Sequence, residues 1–113
     1  LSTQEEAFQN FKVLLERFPN SKYNADAHKR MLYIRNLLAE HQLNVSRYYL
    51  RHKAYVAAVN RAKIIIESYP GAPQIIPALG IMIEAYLALG EKELESSASE
   101  ILRTRYPGSP HTK

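Results

Sequence analysis

Four histidines are the side chains of this sequence that could most directly hold a metal ion, because imidazole is a common metal ligand. They are His28, His41, His52 and His111, and no two of them stand four residues apart on one helix face. No aspartate or glutamate completes a cluster with them, and the chain contains no cysteine. The pattern therefore predicts no metal site, disulfide or thiol nucleophile. We interpret His41 and His52 as helix-packing residues.

Serine and carboxylate side chains could support hydrolysis if they occurred in a catalytic framework. Ser46, Ser68 and Ser96 lack the glycine framework that presents a nucleophilic serine on a sharp turn. None of the carboxylates occurs in a pair that is typical of general acid–base catalysis. The sequence therefore predicts a protein that is not an enzyme and that needs no cofactor.

Basic and aromatic residues alternate in the middle of the chain. Residues 41–66 include five basic side chains and no acid, whereas residues 84–100 include five acids and one lysine. The middle segment contains Arg47, Tyr48, Tyr49, Arg51, Lys53, Tyr55, Arg61 and Lys63. Such a pattern can bind single-stranded nucleic acid by stacking and phosphate neutralisation. We favour instead that Tyr48 and Tyr49 pack between helices, and that the solvated cations steer a protein partner.

A 37-residue repeat organises the chain. The offset relates Tyr49-Leu50 to Tyr86-Leu87, Ala62 to Ser99, Ile65 to Leu102, Tyr69-Pro70-Gly71 to Tyr106-Pro107-Gly108, and Pro73 to Pro110. An earlier copy of the aromatic–proline ending is Phe18-Pro19-Asn20-Ser21, preceded by Phe8, Phe11 and Leu14. Each ending marks the end of a helix, because proline lacks the N–H donor and clashes with the preceding turn.

Apolar periodicity predicts an amphipathic helix within the last repeat. Its apolar residues are Ile75, Leu79, Met82, Tyr86 and Leu89, spaced alternately by four and three positions. Pro77 falls in the first turn, where its missing donor costs little. Gly90 follows as the C-terminal stop. In the preceding repeat Lys53 occupies the position of Gly90, which predicts a weaker cap there.

A longer stripe predicts one long helix from about residue 24 to about residue 53. It consists of Ala27, Met31, Ile34, Leu38, His41, Val45, Tyr48 and His52. The endings at Pro19 and Pro70 are 51 residues apart, 14 more than the repeat length. Fourteen residues are close to four helical turns, so they extend a helix by roughly 21 Å without rotating its apolar face.

Helix pairs of this length, with a proline after the second helix, are typical of tetratricopeptide repeats. We predict an all-α tetratricopeptide α-solenoid of antiparallel helix pairs, with about five helices of which one is long. A single repeat domain would comprise the second helix of a preceding repeat (1–19), a long-helix repeat (20–70) and a last repeat (71–113). Stacked pairs form an extended binding surface. Leu1 falls inside the first helix, which we interpret as the mark of a fragment.

Three runs of residues resemble the BamD family of outer-membrane β-barrel assembly lipoproteins. They are residues 35–41, 45–49 and 54–62, and the similarity extends over essentially the whole chain, corresponding to the C-terminal half of that family. The resemblance implies a non-catalytic scaffold subunit at the periplasmic face of the bacterial outer membrane. It also implies an N-terminal lipid anchor that this fragment lacks. The alternative is a generic periplasmic repeat scaffold or a nucleic-acid-binding helical repeat protein.

The resemblance also implies partners and contact residues. In the BamD family, the C-terminal repeats dock on the last POTRA domain of the barrel subunit BamA, within a complex that includes other BAM lipoproteins. Unfolded outer-membrane proteins are a further expected partner; nucleic acid is not expected, and membrane contact is expected only through the anchor. By resemblance Arg61 contributes to docking, and a guanidinium pairs well with a carboxylate. The predicted partner-binding residues are Arg61, Asn60, Arg47, Arg51 and Lys53.

Overall fold

The computed structural model describes residues 2–17 and 25–107, and all regular secondary structure in these ranges is α-helical. The helices are α1 (Ser2–Arg17), α2 (Ala25–Arg51), α3 (Tyr55–Ser68), α4 (Ile75–Leu89) and α5 (Lys92–Arg105). The predicted all-α helical repeat with one long helix is therefore confirmed, since α2 has 27 residues. The predicted ending at residues 18–21, and the positions of Gly108 and Pro110, lie outside the described residues.

The chain divides into two compact units, residues 1–38 and residues 39–113. The first unit contains α1 and the N-terminal half of α2. Phe8 of α1 is buried, and the ammonium group of Lys12 lies 5.6 Å from the centre of its ring. The second unit contains the rest of α2 and helices α3 to α5, and it carries all five predicted partner-binding residues.

Helix α4 is the centre of the second unit, because it packs against both α3 and α5. Small side chains allow the helices to approach closely: Ala62 on α3 and Ala78 and Ala85 on α4 have no exposed surface. Ala62, which the repeat offset relates to the small residue Ser99, therefore lies at a close helix contact. The larger side chains of this core are Val59, Ile65, Tyr69, Ile75, Leu79, Ile81, Met82, Tyr86 and Leu102.

The 37-residue repeat is visible in the backbone of the helix ends. Lys53 after α2 and Gly90 after α4 both adopt the left-handed conformation, with φ of 60° and 75°. Tyr69 after α3 and Tyr106 after α5 are also matched, with φ/ψ of −126°/62° and −133°/55°. The Schellman bonds agree too: Ala54 N–H to Tyr49 O (2.9 Å), Lys53 N–H to Leu50 O (3.1 Å), Glu91 N–H to Tyr86 O (2.9 Å) and Gly90 N–H to Leu87 O (3.2 Å).

The apolar stripe predicted along α2 is wrong in its C-terminal half. His41 and His52 are exposed rather than packed between helices, and Tyr48 is 51% exposed. The residues of this half that are buried instead are Ala39, Leu43 and Ser46. The hydroxyl of Ser46 donates a hydrogen bond of 2.7 Å to the carbonyl of Ala58 on α3. The packed face thus combines Leu43 with a small alanine and a hydrogen-bonded serine, and it lies to one side of the predicted stripe.

Candidate partner-docking surface

Arg61 is held in a defined position on α3 by a residue of α2. It is half-buried, and its Nη1 donates a hydrogen bond of 3.1 Å to Oε1 of Gln42. The bond between Ser46 and Ala58 lies one turn further along the same pair of helices and holds them in register. Because Gln42 is neutral, it orients the guanidinium without compensating its charge. The other N–H donors of Arg61 can therefore serve a carboxylate on a partner.

Asn60 is exposed and lies on a different side of α3 from Arg61. Successive residues of an α-helix differ by about 100° around its axis, so Asn60 and Arg61 do not point the same way. Asn60 lines a shallow depression of about 220 Å³, together with Val56, Val59, Lys63, Tyr86, Leu89, Glu91 and Leu94. Asn60 and Arg61, although adjacent in the sequence, therefore reach two neighbouring parts of the surface.

Arg47, Arg51 and Lys53 are all exposed at the C-terminal end of α2. Measured around the helix, Arg47 lies about 140° and Arg51 about 180° from Gln42. These two arginines thus occupy the side of α2 away from the contact between Gln42 and Arg61. The structure brings Arg61 and Gln42 together and places Arg47 and Arg51 on a separate side of α2, while Lys53 is exposed after the end of that helix.

An aromatic pair lies beside these cations. The rings of Tyr48 and His52 stack with their centres 4.2 Å apart, and Tyr49 meets Tyr48 edge-on at 5.7 Å. With the Nδ1 tautomer assigned, His52 also donates a hydrogen bond of 2.8 Å to the carbonyl of Tyr48. The prediction that Tyr48 packs between helices is wrong, whereas Tyr49 is half-buried. His52 covers one face of the Tyr48 ring, while the side chain as a whole remains 51% exposed.

Besides the bond from Ser46 to Ala58, two polar contacts between helices of this unit were missed from the sequence. One is the bond from Arg61 to Gln42, which is 19 positions earlier in the chain. The other joins α2 to the start of α4, where Nε2 of Gln74 donates to Oε2 of Glu40 at 3.1 Å. Both depend on the register between helices, for which a single sequence contains no direct signal.

Neither a metal cluster nor a membrane span is found in the part of the chain that the structure describes. Residues 2–17 and 25–107 include no group of three or more histidines and carboxylates that could hold a metal ion. Within the same residues, no helix is both long and apolar enough to cross a bilayer. What the described surface offers is oriented positive charge and apolar grooves, which are means of binding another macromolecule.

Comparison with known proteins finds relatives that agree with one another in name. A family model described as an outer membrane lipoprotein, YfiO, matches residues 1–102. The chain is 42% identical over its whole length to a protein of Xylella fastidiosa (strain Temecula1) and 43% identical over 93% of its length to one of Neisseria gonorrhoeae. A Vibrio cholerae protein is 44% identical over 74% of the chain. All three are named outer membrane protein assembly factor BamD, and the chain spans 39%, 39% and 35% of their respective lengths.

Proposed function

This chain belongs to the YfiO family of outer-membrane lipoproteins, and we propose that it is a non-catalytic scaffold within the machinery that assembles β-barrel proteins into the bacterial outer membrane. The relatives are named assembly factors, which supports this role. The scaffold acts at the periplasmic face of the membrane and works by docking partner subunits, without turning over a substrate.

The observation that carries the docking proposal is the contact between Arg61 and Gln42. A guanidinium that is half-buried and already oriented loses less conformational freedom on binding than a free surface side chain. Its charge remains uncompensated by Gln42, so it favours a partner that presents a carboxylate. We assign this role to an acidic residue on the last POTRA domain of the barrel subunit BamA, with other BAM lipoproteins as further partners.

Charge reversal at Arg61 tests the proposal. In titration calorimetry of the 113-residue chain against the isolated POTRA domain, Arg61→Glu should weaken binding roughly tenfold or more, because repulsion replaces attraction. A change of acid to base on the POTRA domain should restore part of the affinity. Arg103→Glu is the matched control, since Arg103 is exposed on α5, which packs against α4 rather than against the α2–α3 pair.

The same titrations separate the two basic surfaces. Arg47→Glu and Arg51→Glu should have smaller effects than Arg61→Glu if the contact centres on Gln42 and Arg61. Equal affinity of the wild type and Arg61→Glu, with unchanged melting of the variant, would remove Arg61 from the docking site.

A further inference from the structure

A strip of exposed side chains runs along α2 on the side away from Gln42. It consists of Asn44, Arg47, Tyr48 and Arg51, at helix positions i, i+3, i+4 and i+7. This spacing keeps the four side chains on one face of the helix, within an arc of about 100°. The strip is about 10 Å long, and it combines two guanidinium groups with a phenol and an amide. We call it the arginine strip.

The two guanidinium groups of the arginine strip are unpaired. Neither Arg47 nor Arg51 forms an ion pair within the described residues. The nearest acid along α2 is Glu40, which lies about 10 Å before Arg47 along the helix axis. Its Oε2 already accepts the hydrogen bond from Gln74. In the next repeat the position equivalent to Arg47 is the exposed acid Glu84, so the cationic strip belongs to α2 and is not continued on α4.

The aromatic ring of the arginine strip is held in position by its neighbours. The rings of His52 and Tyr48 have their centres 4.2 Å apart, and Tyr49 meets Tyr48 edge-on at 5.7 Å. The hydrogen bond of 2.8 Å between His52 Nδ1 and the carbonyl of Tyr48 fixes the imidazole in turn. Because the Tyr48 ring is already ordered, it loses little conformational freedom when a partner covers its exposed part.

The spacing of the two guanidinium groups fits a pair of carboxylates. Arg47 and Arg51 are about one helical turn apart, so their Cβ atoms lie about 5–6 Å from each other. Alternate residues of an extended segment lie about 6–7 Å apart and point to the same side. Each guanidinium can bind one carboxylate through two parallel N–H···O bonds. The Asn44 amide offers a donor and an acceptor, which suits the peptide groups of an extended segment.

Nucleic acid and a membrane surface fit the arginine strip less well. Single strands are bound by the stacking of successive bases on several aromatic rings, whereas the strip contains one ring, that of Tyr48. A helix that lies in a membrane interface buries a broad apolar face. Val45 and Leu50 are half-buried, and residues 39–53 include no exposed aliphatic side chain. The chemistry of the strip thus favours a segment of an acidic protein.

We propose that the arginine strip binds an extended acidic segment of a partner protein, with carboxylates at alternate positions. Two of these carboxylates pair with Arg47 and Arg51, and the segment also covers the exposed part of the Tyr48 ring. The strip lies on the other side of α2 from the contact between Gln42 and Arg61. It is therefore a second docking surface, which goes beyond the one proposed above and does not rest on it.

Fluorescence anisotropy with a labelled acidic peptide tests the inference. The probe is an extended peptide of about 12 residues in which glutamate alternates with serine. It should bind the 113-residue chain saturably, with an affinity that falls as salt rises. Arg47→Glu combined with Arg51→Glu should weaken binding roughly tenfold or more, because repulsion replaces two charge-assisted contacts. Tyr48→Ala should weaken binding severalfold, because the ordered ring is lost.

Matched variants separate the arginine strip from the overall positive charge. Arg103→Glu combined with Arg105→Glu makes the same change in net charge at two exposed positions of α5, and it should leave affinity within about twofold. Arg61→Gln should also leave affinity within about twofold, since Arg61 lies outside the strip. A peptide with glutamine in place of glutamate should not bind. Circular dichroism should show that both double variants melt like the wild type.

Four results would overturn the inference. Two are the absence of saturable binding and an equal loss of affinity in the two double variants. Displacement of the peptide by the isolated POTRA domain would refute a second surface. The fourth is failure of the peptide to bind while phosphatidylglycerol vesicles or single-stranded oligonucleotides bind the wild type but not the variant changed at Arg47 and Arg51. That result would assign the strip to a membrane or to nucleic acid instead.

Discussion

Replacement of Ser46 tests how α2 and α3 are held together beneath Arg61. Ser46 has no exposed surface, and its hydroxyl donates to the carbonyl of Ala58, which is also fully buried. In Ser46→Ala this bond is lost, but the Ala58 carbonyl keeps its helical bond from the N–H four residues later. No buried acceptor is orphaned, so the expected loss is about 0.5–1.5 kcal/mol in the free energy of unfolding.

Ser46→Leu should cost more, because it adds bulk where two helices are in contact. Overpacking costs about 1–3 kcal/mol, and the lost hydrogen bond adds to it, so we expect a total of about 2–4 kcal/mol. In a domain of this size, 1 kcal/mol corresponds to a change of about 4–8 °C in melting temperature. Separation of α2 from α3 should also lengthen the contact between Gln42 and Arg61, and partner affinity should fall as well.

Circular dichroism at 222 nm during heating, and in urea, measures both variants. Asn44→Ala and Asn44→Leu are the controls, since Asn44 is exposed on the same helix and should change stability by no more than about 0.5 kcal/mol. The ordering should be wild type, Ser46→Ala, then Ser46→Leu. If Ser46→Leu melted like Asn44→Leu, the close contact between the two helices would be refuted.

Three further predictions concern the backbone and the charged surface. Lys53→Gly should raise the free energy of unfolding in urea by about 1 kcal/mol, because Lys53 adopts the left-handed conformation that Gly90 adopts in the next repeat. A lower or unchanged free energy of unfolding would contradict this. Gln42→Glu should leave the melting temperature nearly unchanged but weaken POTRA binding in calorimetry by compensating the charge of Arg61, whereas stronger binding would count against that role. Anisotropy should detect no binding of single-stranded oligonucleotides at physiological salt, because we expect the exposed cations Arg47 and Arg51 to steer a protein partner. Micromolar affinity that falls steeply with salt would favour nucleic-acid binding instead.

The ends of the helices could be predicted from the sequence because they depend on local chemistry. Pro70 stops α3 by removing a donor, and Gly90 ends α4 because a left-handed residue is required there. The same residue types recur 37 positions apart, so the prediction of each helix end was supported by the matching residues in the other repeat. The sequence also showed that Lys53 occupies the position that Gly90 holds in the next repeat. In the structure, Lys53 has a positive φ, as Gly90 does.

The faces of α2 and the Arg61 contact could be predicted only in part. A pattern of large apolar residues is informative where such residues are buried, as at Leu38. It fails at Ser46, whose burial depends on a hydrogen bond to another helix rather than on its own hydrophobicity. The pairing of Gln42 with Arg61 likewise follows from how α2 and α3 align, which is a property of the assembled hairpin.

The repeat explains how one backbone provides two different surfaces. The 37-residue offset relates Gln42 to Leu79 and Arg61 to Ala98. In the last repeat, Leu79 and Ala98 are buried. In the preceding repeat the same two positions hold a polar pair joined by a 3.1 Å hydrogen bond. The backbone angles at the ends of α3 and α5 are similar, −126°/62° at Tyr69 and −133°/55° at Tyr106, whereas the side chains at these two positions differ in chemistry. The same two positions therefore hold a half-buried polar contact in one repeat and buried apolar packing in the next, so the surface of each repeat depends on its side chains as well as on its helix ends.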